Sequence, residues 1–67
     1  MEPVVDNPSI LEAILFVAES PVPIEELAEV LEVGLDEVES DLQVLGERMK
    51  GGGLELRNVG GGWRLYT

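Results

Sequence analysis

The sequence contains no cysteine and no histidine. The first absence excludes a disulfide framework and a thiolate metal site, and the second removes the commonest general base and zinc ligand. Aromatic residues are also few, namely Phe16, Trp63 and Tyr66. At 67 residues the chain is one small domain, and a domain of that size buries only about 60% of the surface that its unfolded form exposes. The core is thin, with little room for a deep substrate cavity. No catalytic residue, metal ligand, cofactor or small-molecule substrate is therefore assigned. Long apolar runs are missing too: the charge-free stretch of the first helix candidate is Ala13 to Ala18, between Glu12 and Glu19. Spanning a bilayer needs roughly 18 residues, so no membrane partner is expected. The opening Met1-Glu2-Pro3-Val4-Val5-Asp6 lacks the basic n-region of a secretory signal, and the expected location is the cytoplasm.

Positive charge is scarce and confined. The chain carries 14 acids against four basic residues, for a formal charge of -10. Residues 1 to 47 hold 13 of the acids and no Lys or Arg, whereas 48 to 67 hold Arg48, Lys50, Arg57 and Arg64 against Glu55 alone. Anionic polymers are repelled by the larger part. Apolar residues make up 45% of the chain, enough to offset ordering entropy, so it is globular.

The hydrophobic period divides the chain. Residues 1 to 8 show none and read as a frayed lead-in to a domain over 9 to 67. Asn7-Pro8 as N-cap and first helical residue, or Ser9 with Glu12 as a capping box, starts a helix near Ser9. From Ile10 to Ala18 every residue except Glu12 is apolar, which is wider than the stripe a surface helix buries. Ile10, Ile14 and Val17 form one row, Leu11, Leu15 and Ala18 another, and Phe16 lies off both. Ser20-Pro21-Val22-Pro23 stops this helix in an extended or turn segment. Ile24, Leu27, Ala28 and Leu31 then repeat at helical spacing, Gly34 supplies a left-handed break after Val33, and Leu35, Val38, Leu42, Leu45 and Met49 mark a third helix from Asp36 to about Arg48. After Gly51-Gly52-Gly53 the period becomes two: Leu54 to Arg57 and Trp63 to Tyr66 alternate around a turn at Gly60 to Gly62. Leu54, Leu56 and Leu65 must pack on the helices for such a hairpin to persist. Three helices followed by a two-stranded antiparallel wing make an α+β winged helix-turn-helix.

A helix-turn-helix can place its second helix in the DNA major groove. Here that helix would present Asp36, Glu37, Glu39, Ser40, Asp41, Gln43 and Glu47, five carboxylates facing a polyanion. Four cations at most could touch phosphates, below the roughly 6 to 10 contacts of firmly bound regulators. The wing residues Arg57, Trp63, Arg64 and Tyr66 could stack on a base, but in so small a core Trp63 is better placed sealing its end, with Arg57 and Arg64 pairing with Glu55 or with acidic helix faces. The acidic run lacks the glycine of an EF-hand loop, and the triple glycines fit no phosphate-binding pattern.

Glu12-Ala13 with Leu15-Phe16-Val17-Ala18, then Leu27-Ala28 with Leu31, then Gly61-Gly62-Trp63-Arg64-Leu65 with Thr67 together resemble the amino-terminal winged-helix domain of segregation and condensation protein B, over about Ile10 to Thr67. The resemblance implies a non-enzymatic, cytoplasmic subunit of the prokaryotic SMC-kleisin condensin, acting in chromosome condensation and partition. It further implies a homodimer that holds the kleisin, segregation and condensation protein A, and through it SMC, with winged helices that bind protein and no direct DNA contact. The family continues into a second winged helix, so the chain reads as the amino-terminal half of a longer protein. Pro23 stands where the family commonly has a Ser or Thr cap. Leu11, Leu15 and Phe16 are the interface candidates on the first helix. The rival is a transcriptional regulator's DNA-binding domain that uses its basic wing. The two part on one measurement: if the chain is an assembly unit, titration of labelled duplex at low ionic strength shows no salt-sensitive capture, and Arg64→Ala changes nothing.

Overall fold

A computed structural model describes residues 5–67. The elements run α1 (Asn7–Val17), β1 (Val22–Pro23), α2 (Ile24–Leu31), α3 (Leu35–Arg48), β2 (Glu55–Val59) and β3 (Gly62–Tyr66). The sheet has the strand order β1-β3-β2, antiparallel throughout. This is the winged-helix layout with one addition. The segment after α1 is a short strand pairing Val22 with Trp63 and Pro23 with Gly62, so the wing is fastened back to the helices through β3.

The start of α1 differs from the sequence reading. Neither Asn7 nor Ser9 is the cap. Asp6 is, its carboxylate accepting from the Ser9 N–H at 3.0 Å while its carbonyl accepts from the Ile10 N–H. Asn7 and Pro8, expected in the lead-in, form the first helical positions. Proline suits that place because the amide it lacks has no helical partner there. Residues 1–4 of that lead-in lie outside the described residues. Neither α2 nor α3 has a side-chain cap: Pro23 and Gly34 precede them, and Glu25, Glu26, Asp36 and Glu37 lie in the first turns, where their charge complements the exposed amides.

The turn between α2 and α3 also departs from expectation. Gly34 is extended, with φ -74, and precedes α3. The left-handed residue is Glu32, with φ 57 and ψ 44. The Glu32 N–H reaches the Glu29 carbonyl at 3.2 Å and the Val33 N–H reaches the Ala28 carbonyl at 3.1 Å. These two bonds form a Schellman motif. Its closing hydrophobic residue, Val33, packs against the core, and the motif needs the left-handed angle at Glu32, two positions before the glycine.

The core consists of Leu11, Leu15, Leu27, Ala28, Val38, Leu42 and Leu45, all buried. Leu31, Met49, Leu56, Trp63 and Leu65 are among the partly buried residues around it. Each fully buried aliphatic side chain contributes about 1.5–3 kcal/mol. Two expected core residues stand outside: Leu35 opens α3 exposed, and Leu54 is half-buried beside α3 without joining the cluster.

The hairpin turn is Gly60-Gly61 alone, with φ 58 and 86, a two-residue turn with both angles positive that matches strand twist. Gly62 belongs to β3 and is buried. A Cβ there would lie 2.7 Å from Pro21 Cβ, so only glycine lets β1 approach so closely.

The left-handed Glu32 gives a stability test. An L-residue with a Cβ pays about 1–2 kcal/mol in that conformation and glycine does not. Glu32→Gly is expected to raise the unfolding free energy by about 1 kcal/mol after glycine's extra chain entropy is subtracted. Glu32→Gln, which removes only the charge, should stay near wild type, with urea unfolding midpoints read at constant slope.

Candidate functional site

Three surfaces concern function: the outer face of α1, the outer face of α3, and the wing. On α1 the inward side is set by Pro8, Leu11 and Leu15, which lie at i, i+3 and i+7 and are all buried. Leu11 and Leu15, two of the three sequence-stated interface candidates, are 0% and 2% exposed. They hold the chain's own core together and are out of reach of a partner. The third, Phe16, is 70% exposed, and its neighbour Val17 is 74% exposed. With Ala13, also exposed, they fall at i, i+3 and i+4 and form one outward apolar stripe. Both rows of α1 are apolar, and only the positions of α3 and β3 decide which turns inward. The one signal in the sequence was Pro8, three residues before Leu11, marking the inward line.

The outer face of α3 carries Asp36, Glu37, Glu39, Ser40, Gln43 and Glu47, all exposed. Asp41, expected beside them, is half-buried, and its Oδ2 has no hydrogen-bond partner. The position lies between the buried Val38 and the buried Leu42 and Leu45, so helical rotation carries it off the solvent face. Glu37 accepts from Asn7 Nδ2 at 3.3 Å. Glu47 pairs with Lys50 at 3.0 Å, Asp36 and Glu39 form no ion pair among the described residues, and the face stays negative.

The cations are largely engaged within the chain. Arg48 clasps Asp6 with two parallel bonds, Nη1 to Oδ1 at 3.2 Å and Nη2 to Oδ2 at 2.7 Å, a bidentate geometry with both side chains half-exposed. Lys50 pairs with Glu47 at 3.0 Å and Arg57 with Glu55 at 3.3 Å. Arg57 thus pairs along its own strand rather than across to the next. The guanidiniums of Arg57 and Arg64 lie 5.8 and 5.5 Å from the centre of the Tyr66 ring, each contact worth about 0.5–1 kcal/mol at an exposed site. Strand alternation splits the four wing residues. Arg57, Arg64 and Tyr66 share the outer face of the hairpin, while Trp63 is on the inner face with Leu56 and Leu65 and packs against the core. They do not form a single base-stacking surface, and only Arg64 lacks a carboxylate partner among the described residues. This arrangement disfavours the regulator reading.

The Asp6 carboxyl is held well below the usual carboxylate range, chiefly by its hydrogen bonds to Arg48 and next by those from Ser9. The same pairing raises Arg48 above its ordinary value. No helix among the described residues is long and apolar enough to cross a membrane.

Residues 9–67 match the family model for "Segregation and condensation complex subunit ScpB". No curated protein matches the chain. Among solved structures, ScpB from Mycobacterium tuberculosis superposes with a TM-score of 0.82 at 33% identity, covering 97% of this chain and 44% of that one. This chain thus spans less than half of that relative's length. A dimer of the ScpB N-terminal domain complexed with an ScpA peptide superposes with a TM-score of 0.84 at 30% identity, covering 90% of this chain and 78% of that one.

The clasp has a pH signature with a definite sign. A carboxyl depressed by folding contributes stability that is whole above its unfolded value, near 3.8, and is lost as pH falls through the lower folded value. The thermal midpoint of wild type should therefore drop more steeply below pH of about 3.8 than that of Asp6→Asn. At neutral pH Asp6→Asn is the less stable of the two, while Ser9→Ala, which keeps the Arg48 and backbone bonds to Asp6 but loses the Ser9 hydroxyl, shows an acid limb intermediate between them.

Proposed function

The chain belongs to the family of segregation and condensation complex subunit ScpB, and from that membership we propose that it is a non-enzymatic, cytoplasmic assembly unit of an SMC-kleisin condensin. In this reading it pairs with a second copy and engages an ScpA-type kleisin segment, acting in chromosome condensation and segregation. The chain corresponds to the amino-terminal winged helix of a two-domain protein, in keeping with its 44% span of the Mycobacterium tuberculosis relative. The likeness to an ScpB N-terminal domain that is a dimer with an ScpA peptide supports both partnerships.

The observation that carries the self-association is the unpartnered apolar stripe of α1, Ala13, Phe16 and Val17. A 70% exposed phenylalanine beside a 74% exposed valine is a costly surface for a monomer and a natural centre for a two-fold contact, where each residue is buried twice. The interface accordingly centres on Phe16 and extends to Val17, with Leu11 and Leu15 supporting it from behind. Ion pairs play a minor part, because α1 bears Glu12 alone as a charged residue.

Covering one phenylalanine contributes about 1.5–3 kcal/mol, and an isologous dimer counts it twice. Phe16→Glu is therefore expected to weaken dimerisation by about 100-fold or more, read by light scattering or sedimentation across a concentration series. The far-ultraviolet circular dichroism should not change, since Phe16 takes no part in the core. Leu15→Glu, by contrast, should unfold the chain. A wild type that stays monomeric at high concentration would falsify the proposal.

A further inference from the structure

The two edges of the sheet are not alike. The β1 edge is two residues long and ends in Pro23, a residue that blunts strand addition because it offers no amide. The β2 edge is five residues long, Glu55 to Val59, carries no proline, and among the described residues has no strand beyond it in the order β1-β3-β2. Turn geometry fixes which of its backbone groups are free. With a two-residue turn at Gly60-Gly61, the flanking pair Val59 and Gly62 is the narrow, hydrogen-bonded one, and bonded pairs then alternate. Glu55, Arg57 and Val59 thus turn their N–H and C=O groups toward β3. Leu56 and Asn58 turn theirs outward, ready to receive another strand.

Beside this edge lies an open groove of about 940 Å³. Val44 of α3, Met49, Leu54 and Leu56 give it an apolar floor, and Glu47, Arg48, Lys50 and Glu55 stand at the rim, two cations with two acids. No residue of β3 lines it, so it opens on the free side of β2. Val44 is 42% exposed, an uncovered apolar side chain in the middle of a helix whose outer face is mostly acidic. Gly46 keeps the floor low: nothing stands between α3 and Leu56, whose Cδ2 lies 3.9 Å from where a Cβ would be.

We infer that the β2 edge and this groove receive an extended segment of the kleisin partner as a fourth strand of the sheet. This rests on the reading that the chain binds an ScpA-type polypeptide. Main-chain bonds from Leu56 and Asn58 supply register, and apolar side chains at alternate positions of the incoming segment fill the groove. Charge selects the intervening positions. All four cations of the chain fall within 48–67, the stretch that forms the groove rim and the wing, whereas α2 and the outer face of α3 repel acids. On the outer side of the sheet, a carboxylate of the incoming strand lies opposite Arg57 and competes for it with Glu55, which is 3.3 Å away along β2.

The test uses the 67-residue chain and a synthetic peptide of the ScpB-contacting segment of ScpA, titrated by calorimetry or fluorescence anisotropy. Asn58→Pro removes an outward amide that has no partner in the sheet, so the fold survives and strand addition is blocked. Val44→Glu places a carboxylate in the groove at an exposed helical position. Each is expected to weaken peptide binding at least 10-fold with unchanged circular dichroism, and the Leu56 and Asn58 amides should gain hydrogen-exchange protection when the peptide binds to wild type. Wild-type affinity in both variants, or protection confined to α1, overturns this inference and leaves the kleisin reading standing. If wild type itself ignores the peptide, the kleisin reading falls and this one with it. If Asn58→Pro dissociates the dimer while peptide affinity holds, a second copy occupies the edge and the inference is overturned.

Discussion

The contact of Leu11 and Leu15 on α1 with the Val38, Leu42 and Leu45 face of α3 is the constraint on which the other features rest. A core of seven buried residues leaves no reserve, for a domain of this size is only marginally stable and each buried leucine matters. Because these two leucines must face inward, helical rotation fixes where everything else on α1 points. Phe16 and Val17 turn to solvent as a consequence, and the outer stripe is set by the same packing that holds the fold together. Trp63, Leu56 and Leu65 then close the open end of the core, which puts the guanidiniums of Arg57 and Arg64 on the far side of the hairpin with Tyr66.

Periodicity made the elements legible. The i, i+3, i+4, i+7 spacing of Ile24, Leu27, Ala28 and Leu31, and the switch to alternation after Gly53, placed the helices and strands near their final bounds. What escaped were features that depend on residues far apart in sequence. The cap of α1 is Asp6 because Arg48, 42 positions later, holds its carboxylate, and no local pattern distinguishes that from Asn7 or Ser9. The strand at Val22 and Pro23 exists because β3 lies beside it. The left-handed residue is Glu32 and not Gly34, since the choice is made by which carbonyls of α2 need closing. For the site, the resemblance to segregation and condensation protein B named the family whose model residues 9–67 match, yet hydrophobicity alone ranked Leu11 and Leu15 with Phe16. Two apolar rows on one helix are equivalent until a neighbouring element covers one.

Charge explains why this helix-turn-helix is ill suited to DNA. The helix that would enter a groove of DNA is skinned with carboxylates, and three of the four cations are tied into ion pairs within the chain. Arg64, the remaining one, leans on Tyr66. Phosphate attraction needs several free cations on one face, and here the strand alternation and the clasp at Asp6 remove them. The apolar stripe of α1 and the open flank of the sheet are the surfaces left for company.

The pairing of β3 with β1, and its position over α1, joins the last strand of the chain to the earliest elements. During synthesis α1 and the HTH helices emerge first, but the leucines they share have no lid until Gly62 to Tyr66 clear the ribosome. Elongation proceeds at roughly 5–20 residues per second, so the nascent domain passes seconds with its greasy interior ajar. Closure of this core thereby waits for the emergence of β3.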